Sequence, residues 1–267
     1  MIKVIVCGAK GRMGMRILEA IASTEGMQVS AAIEKANHPN RGDVVVSTPE
    51  GILLSVDLSE EINKGDVIID FTSAEVSLAH LDIAVQHERP IVIGTTGFTD
   101  YQTNKIRESS KTIPIVLAPN MSIGINTIFG ILEQIGRIIP DGYDIEIVET
   151  HHRFKKDSPS GTALKMGQIL ANARNNSLNS VAVYGRKGTD MDIRKKDEIG
   201  IHAIRCGDVV GEHTIIFGSI GERIEITHKA HGRDTFAYGA VQAAQFVVKA
   251  NPGLYDMQDV LGFKKDR

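Results

Sequence analysis

The run Ile2-Lys3-Val4-Ile5-Val6-Cys7-Gly8-Ala9-Lys10-Gly11-Arg12-Met13-Gly14 decides the fold. Ile2 to Cys7 is almost continuously apolar, the pattern of a parallel strand covered on both faces. Gly8, Gly11 and Gly14 then recur at every third position, and a helix follows with Met13, Ile17, Ala20 and Ile21 on one face. A second strand, Met27 to Ile33, ends at Glu34. Strand, glycine turn, helix, strand and acid, in that order, make a dinucleotide-binding unit. Gly8 permits the tight turn, Gly11 lets backbone approach a pyrophosphate, and Gly14 allows the helix to pack closely on the strand. Gly8, Ala9, Lys10, Gly11, Arg12 and Met13 are therefore candidate cofactor contacts, and Glu34 is a candidate acceptor for the adenosine ribose hydroxyls. An acid there repels a 2′-phosphate, whereas Lys35, His38 and Arg41 can neutralise one, so the expected cofactor is NADPH or NADH, with both used.

The α/β rhythm continues beyond an irregular stretch, Pro39 to Leu58, in which one short strand is expected near Ile52–Val56. Strands at Val67–Asp70, Ile91–Ile93 and Ile113–Leu117 each run into a polar turn: Phe71-Thr72-Ser73, Gly94-Thr95-Thr96-Gly97 and Ala118-Pro119-Asn120-Met121. Open parallel sheets bind ligands at that carboxyl edge, so Gly94, Thr95, Thr96, Ala118, Pro119, Asn120 and Met121 join the cofactor candidates. After Asn120 the pattern changes. A helix over Ser122–Ile139, a strand over Tyr143–Thr150 and a helix from Thr162 to Ala173 precede three clustered strands, Ile199–Cys206, Val209–Phe217 and Arg223–Ala230. Gly207-Asp208 suits a tight turn between the first two. The last long helix, Asp234 to Lys249, is rich in alanine and should pack back on the first sheet. The expected fold class is α/β: a Rossmann-like dinucleotide-binding domain, 1–121 plus 232–267, with an inserted α+β substrate and oligomerisation domain on a mixed sheet, 122–231.

Within that insertion, Glu149-Thr150-His151-His152-Arg153-Phe154-Lys155-Lys156-Asp157-Ser158-Pro159-Ser160-Gly161-Thr162-Ala163 joins a strand to a helix. Such density of functional groups exceeds what a connection needs. The Pro159–Thr162 turn opens a helix whose first N–H groups seat a carboxylate or phosphate, with Ser160 and Thr162 as added hydroxyl donors. Lys155 brings an ammonium group, and His151 and His152 can donate protons near neutral pH. The bland alternative is a solvated basic loop with Ser160 as a plain cap. The loop suits an anionic substrate that must accept a proton.

A net charge of −3 over 267 residues argues against a nucleic-acid binder, and 42% apolar with 24% charged residues suits a globular protein. No secretory signal and no membrane-spanning run are expected, and Cys7 and Cys206 both read as small buried thiols in strands, which points to the cytoplasm. The adjacent His151 and His152 would diverge on a strand, so no metal site is expected.

With His151-His152-x-x-Lys155 and Asp157-Ser158-Pro159-Ser160-Gly161-Thr162-Ala163 in view, the chain resembles the 4-hydroxy-tetrahydrodipicolinate (dihydrodipicolinate) reductase family. The likeness extends to Asp70-Phe71-Thr72, Gly94-Thr95-Thr96-Gly97, Asn120-Met121-Ser122 and Gly211-Glu212-His213-Thr214. It implies a small dicarboxylate substrate, a cyclic imine precursor reduced by NAD(P)H in lysine and diaminopimelate synthesis, and a homotetramer joined through the second sheet. It also implies His151 as the acid/base group, Lys155 as proton donor or charge stabiliser, His152 as a substrate contact, and Gly161 and Thr162 as holders of a carboxylate. Two rivals remain at this point: a dehydrogenase of another small carboxylate, and a nicotinamide-sensing regulator.

Overall fold

The computed structural model describes residues 1–35, 37–39, 42–46, 51–189 and 192–264. Arg41, one of the cations expected near the ribose, lies outside them. The chain divides into two compact units, Met1–Asn126 with Arg233–Arg267, and Thr127–Gly232.

In the first unit, β1 (Ile2–Cys7), α1 (Arg12–Ala22), β2 (Met27–Ile33), β3 (Val44–Val46), β4 (Ile52–Ser55), α2 (Leu58–Glu61), β5 (Val67–Asp70), α3 (Ala74–Gln86), β6 (Ile91–Ile93), α4 (Asp100–Ser109) and β7 (Pro114–Leu117) lead into α5 (Ile123–Ile138). The second unit holds β8 (Asp144–His151), α6 (Gly161–Ala173), α7 (Leu178–Val181), β9 (Ala182–Tyr184), β10 (Ile199–Arg205), β11 (Gly211–Ser219) and β12 (Glu222–Ala230). The chain then returns to the first unit with α8 (Asp234–Val247), β13 (Gly253–Tyr255) and α9 (Met257–Val260).

The first sheet runs β13-β7-β6-β5-β1-β2-β4-β3, parallel throughout except for the β3–β4 pair. Side chains of β1 alternate between two cores. Val4 and Val6 meet α1 and α8 through Ile17, Ile21, Ala240 and Ala244, and Ile5 and Cys7 meet Leu81, Ala84 and Ile106 on the opposite face. Both faces are thus buried, which is why β1 carries no polar alternation. Each fully buried Ile or Val contributes roughly 1.5–3 kcal/mol of transfer free energy. The segment expected to be irregular forms β3 as well as the expected strand near Ile52, because Val44 and Val46 pair antiparallel with β4 at the sheet edge.

The second sheet runs β12-β11-β8-β10-β9 and is mixed. β8 is central, parallel to β10 and antiparallel to β11. Ile145, Ile147, Ile199, Ile201, Ile215 and Phe217 are buried together with Ala163, Met166 and Leu170 of α6. Here two expectations fail. Gly207-Asp208 does not close a hairpin, since β10 and β11 lie on either side of β8 and do not pair. The connection instead crosses the end of β8, where Cys206 N–H donates to the His151 carbonyl at 2.9 Å and Arg153 N–H to the Gly207 carbonyl at 3.1 Å. Cys206, expected buried, is exposed there, while Cys7 is buried. Among the described residues no helix is long and apolar enough to cross a membrane.

Candidate active site

The candidate cofactor residues of the first unit gather at the carboxyl ends of β1, β2, β6 and β7. Gly8 adopts φ +76°, and a Cβ there would sit 2.6 Å from the Phe71 carbonyl oxygen, so the turn tolerates only glycine. Gly11 is the N-cap of α1 and has no side-chain cap, and the first turn of the helix holds no acid. Its leading N–H groups are therefore left for an anion, which fits a pyrophosphate on this turn. Glu34 takes the Lys10 N–H on Oε1 at 3.0 Å and the Lys35 N–H on Oε2 at 3.2 Å, which holds its carboxylate against the glycine turn. The side chains of Ala9, Ala118 and Met121 are core, so these residues offer a ligand only backbone. Asn120 accepts the Ser122 N–H at 2.9 Å through Oδ1, and its carbonyl accepts from the Asn126 amide at 2.9 Å, which fixes the turn after β7. Thr95 is 6% exposed and its hydroxyl is engaged inside the protein, whereas Thr96 is exposed.

In the second unit, β8 runs one residue further than expected and ends in His151, which is buried. The period of two in the strand puts Glu149 and His151 on the same face as Ile145 and Ile147. Glu149 is fully buried and accepts from four donors: His151 Nδ1 at 2.6 Å, Arg205 Nη1 and Nη2 at 2.8 and 2.9 Å, and the Ser160 N–H at 3.0 Å. Burial alone would push this carboxyl up, but the Arg205 guanidinium and His151 more than offset that and hold it below its ordinary value. An ionised Glu149 only accepts, so His151 carries its proton on Nδ1 and turns Nε2 away as the reactive nitrogen. That nitrogen would lie 3.0 Å from a Cβ on Gly211, so any larger residue at position 211 would crowd the ring. Burial lowers the His151 pKa below 6.5; Glu149 raises it, while Lys155 and Arg205 lower it further.

The remaining loop groups are placed around this pair. Lys155 is 22% exposed and pairs with Asp157 at 2.9 Å. Its ammonium pulls the Asp157 carboxyl below the usual value, helped by the Gly161 N–H at the start of α6. Arg205 also donates to the Asp157 carbonyl at 2.6 Å, so it ties the loop to β10. Gly161 is exposed and Thr162 half-buried in the first turn of α6. Ser160, expected as a donor to substrate, is 2% exposed. Its hydroxyl caps α6 by accepting the Ala163 N–H at 3.2 Å and meets His213 Nε2 at 3.0 Å, so it is committed to the protein. His213 lies edge-on to His151, with ring centroids 5.1 Å apart, and burial, then the charge of His151, push its pKa down to about 4. It stays neutral near pH 7. His152 is half-buried and tilts against the exposed Phe154.

Three participants had no role in the sequence reading. Glu149 was readable, because a strand places residues two apart on one face. Arg205 and His213 were not, since they reach the site only through the pairing of Arg205 with His151 in β10–β8 and of His213 with Glu149 in β11–β8.

Comparison with known proteins converges on one family. The family model described as dihydrodipicolinate reductase, N-terminus, matches residues 2–121, and its C-terminus counterpart matches 124–261. The chain is 51% identical over 268 residues to the 4-hydroxy-tetrahydrodipicolinate reductase of Syntrophus aciditrophicus, covering 99% of this chain and 100% of that relative. It is 52% identical, with the same coverage, to that of Syntrophotalea carbinolica. A solved dipicolinate-bound dihydrodipicolinate reductase from Paenisporosarcina sp. TG-14 superposes with a TM-score of 0.78 at 26% identity, over 97% of this chain and 98% of that one. With both family models matched in order and half the residues shared with full-length relatives, the chain belongs to the dihydrodipicolinate reductase family.

Proposed function

We propose that this chain reduces 4-hydroxy-2,3,4,5-tetrahydrodipicolinate to 2,3,4,5-tetrahydrodipicolinate in lysine and diaminopimelate biosynthesis, with His151 and Lys155 delivering the proton. The observation that carries the assignment of roles is the end of β8. There a Glu149–His151 pair and Lys155 flank the first turn of α6, so proton donors and an anion seat share one loop. The reaction adds one hydride and one proton and releases one water. A bound reduced nicotinamide supplies the hydride. The first turn of α6, at Gly161 and Thr162, takes one substrate carboxylate, and His152 lies along the same loop as a further contact. Lys155 neutralises carboxylate charge, and His151 presents Nε2 for the proton. The substrate's own negative charge offsets the burial that depresses His151 in the free protein, so binding favours its protonated form.

This sets the pH dependence. The free protein holds His151 mostly neutral at pH 7, and the reaction needs it protonated. We expect kcat/KM to rise as pH is lowered from about 8 toward 6, approaching tenfold per unit at the steepest. A flat wild-type profile would remove His151 as the acid.

Both NADH and NADPH serve as cofactor in this reading. Glu34, held on the glycine turn by the Lys10 N–H, suits free ribose hydroxyls, and Lys35 beside it suits a 2′-phosphate. The test supplies pyruvate and aspartate semialdehyde with the synthase that condenses them and follows cofactor absorbance. Synthase-dependent oxidation is expected, with the two kcat/KM values within about a thousandfold, or roughly 4 kcal/mol. A wider gap refutes dual use, and no oxidation with either cofactor refutes the reaction.

The working form is a cytoplasmic homotetramer assembled through the second sheet. The face of that sheet away from Ile145 and Ile147 carries Val148, Ile204 and Ile216, and Ile204 is 46% exposed, an apolar strip that another copy would cover.

A further inference from the structure

At the end of β5, Asp70 is a fully buried carboxylate that the proposed proton transfer does not use. Its Oδ1 accepts from the hydroxyls of Thr72 at 2.8 Å, Ser77 at 2.5 Å and Thr95 at 3.1 Å. Its Oδ2 lies 2.5 Å from His80 Nδ1. The Thr95 hydroxyl also accepts the Thr72 N–H at 3.0 Å and lies 2.7 Å from the Ser77 hydroxyl. The Gly94 N–H donates to the Asp70 carbonyl at 2.9 Å. The turns after β5 and β6 are thus knitted into one body by a single side chain. Cys7 lies close enough that it, Asp70 and His80 have possible ligand atoms within 4.8 Å of one another, but both Asp70 oxygens are already taken by hydrogen bonds. Asp70 therefore braces the turns through its hydroxyl partners and His80.

We propose that Asp70, backed by Ser77 and His80, is a positioning residue that sets the nicotinamide half of the cofactor site. The inference rests on the dinucleotide reading of the first unit. β1 is flanked by β2, which is followed by Glu34 on the adenosine side, and by β5 and then β6 on the other. A dinucleotide laid across the glycine turn therefore puts its nicotinamide half over the ends of β5 and β6. Because the Thr95 hydroxyl is consumed internally, Thr95 offers a ligand only its backbone, and the placement of that backbone is what Asp70 controls. A carboxylate holds three hydroxyls more strongly than a neutral amide does. Asp70→Asn keeps the shape and removes the charge.

The experiment is calorimetric titration of the full chain with NADH and, separately, with ADP-ribose, which lacks the nicotinamide ring. Asp70→Asn should weaken NADH about tenfold or more and ADP-ribose less than about twofold. Ser77→Ala should shift NADH alone, by about threefold. Equal loss of both ligands, or unchanged NADH affinity in folded protein, overturns the proposal. Should Asp70→Asn fail to fold, Ser77→Ala decides: NADH weakened alone supports the role, and both affinities unchanged or equally weakened refute it. Wild-type protein that binds neither ligand would overturn the dinucleotide reading, and the proposal with it; wild-type binding of ADP-ribose separates the two failures.

Discussion

In His151→Ala and Lys155→Ala, kcat is expected to fall about a hundredfold or more, the usual contribution of a positioned proton donor, while the KM for the nicotinamide cofactor changes little. The candidate cofactor residues lie in the first unit and these two side chains in the second. The variants should differ in substrate KM. Removing His151 takes away a neutral ring whose hydrogen-bond partner, Glu149, keeps both Arg205 contacts. Removing Lys155 deletes a cation and leaves the Asp157 carboxylate unpaired beside the Gly161 N–H, where it repels the substrate carboxylate. Lys155→Ala should therefore also raise substrate KM, by the roughly 1.5–3 kcal/mol of a hydrogen bond to a charged group. The rise of kcat/KM at lower pH should persist in Lys155→Ala and vanish in His151→Ala. Steady-state kinetics with the coupled synthase reads all of this. Turnover unchanged in both variants would sink the mechanism.

The elements of the first unit were legible because its strands carry their signal locally. A run such as Val4 to Cys7, buried on both faces, is apolar in sequence and needs no partner to be recognised. The glycine spacing fixed the turn, and Glu34 appeared at the right distance. The second unit was less legible for the opposite reason. Its strand order depends on pairings between segments far apart, and β8 is inserted between two strands that are neighbours in sequence, so Gly207-Asp208 imitates a hairpin turn without being one. The short edge elements β3, β9 and β13 carry too few residues to show a period. At the site, residue types in one loop were readable, but not their burial. Ser160 reads as a donor to ligand and is a cap, while Arg205 reads as one more charge at a strand end and is the counter-ion of the buried acid.

Glu149→Ala is expected to cost about 3–5 kcal/mol of stability, the penalty for breaking a buried ion pair from one side. Arg205 is only 20% exposed and would lose both guanidinium contacts to the carboxylate, and the Ser160 N–H would lose its acceptor. A urea melt measures the loss. The sign with pH follows from the depressed carboxyl: its contribution is full above the ordinary value of 4.5 and disappears as pH falls through the lowered folded-state value. His151 acts in the same sense, because its pKa is lowered from 6.5 and the folded protein resists charging it, so stability begins to drop as pH passes below that value. Glu149→Ala should therefore flatten the part of the acid limb below about pH 4.5, while the His151 part remains, since the carboxylate that raises its pKa is gone. Stability and catalysis are separable at this pair. In Glu149→Ala combined with Arg205→Met the stranded cation is gone, and most of the lost stability should return, since a buried ion pair is often replaced by apolar side chains at little net cost. Turnover should not return. His151 would still lack the acceptor that keeps its proton on Nδ1, and both tautomers would then be populated. A double variant that is stable and slow assigns Glu149 to the orientation of His151; one that recovers activity along with stability would reduce Glu149 to a structural anchor.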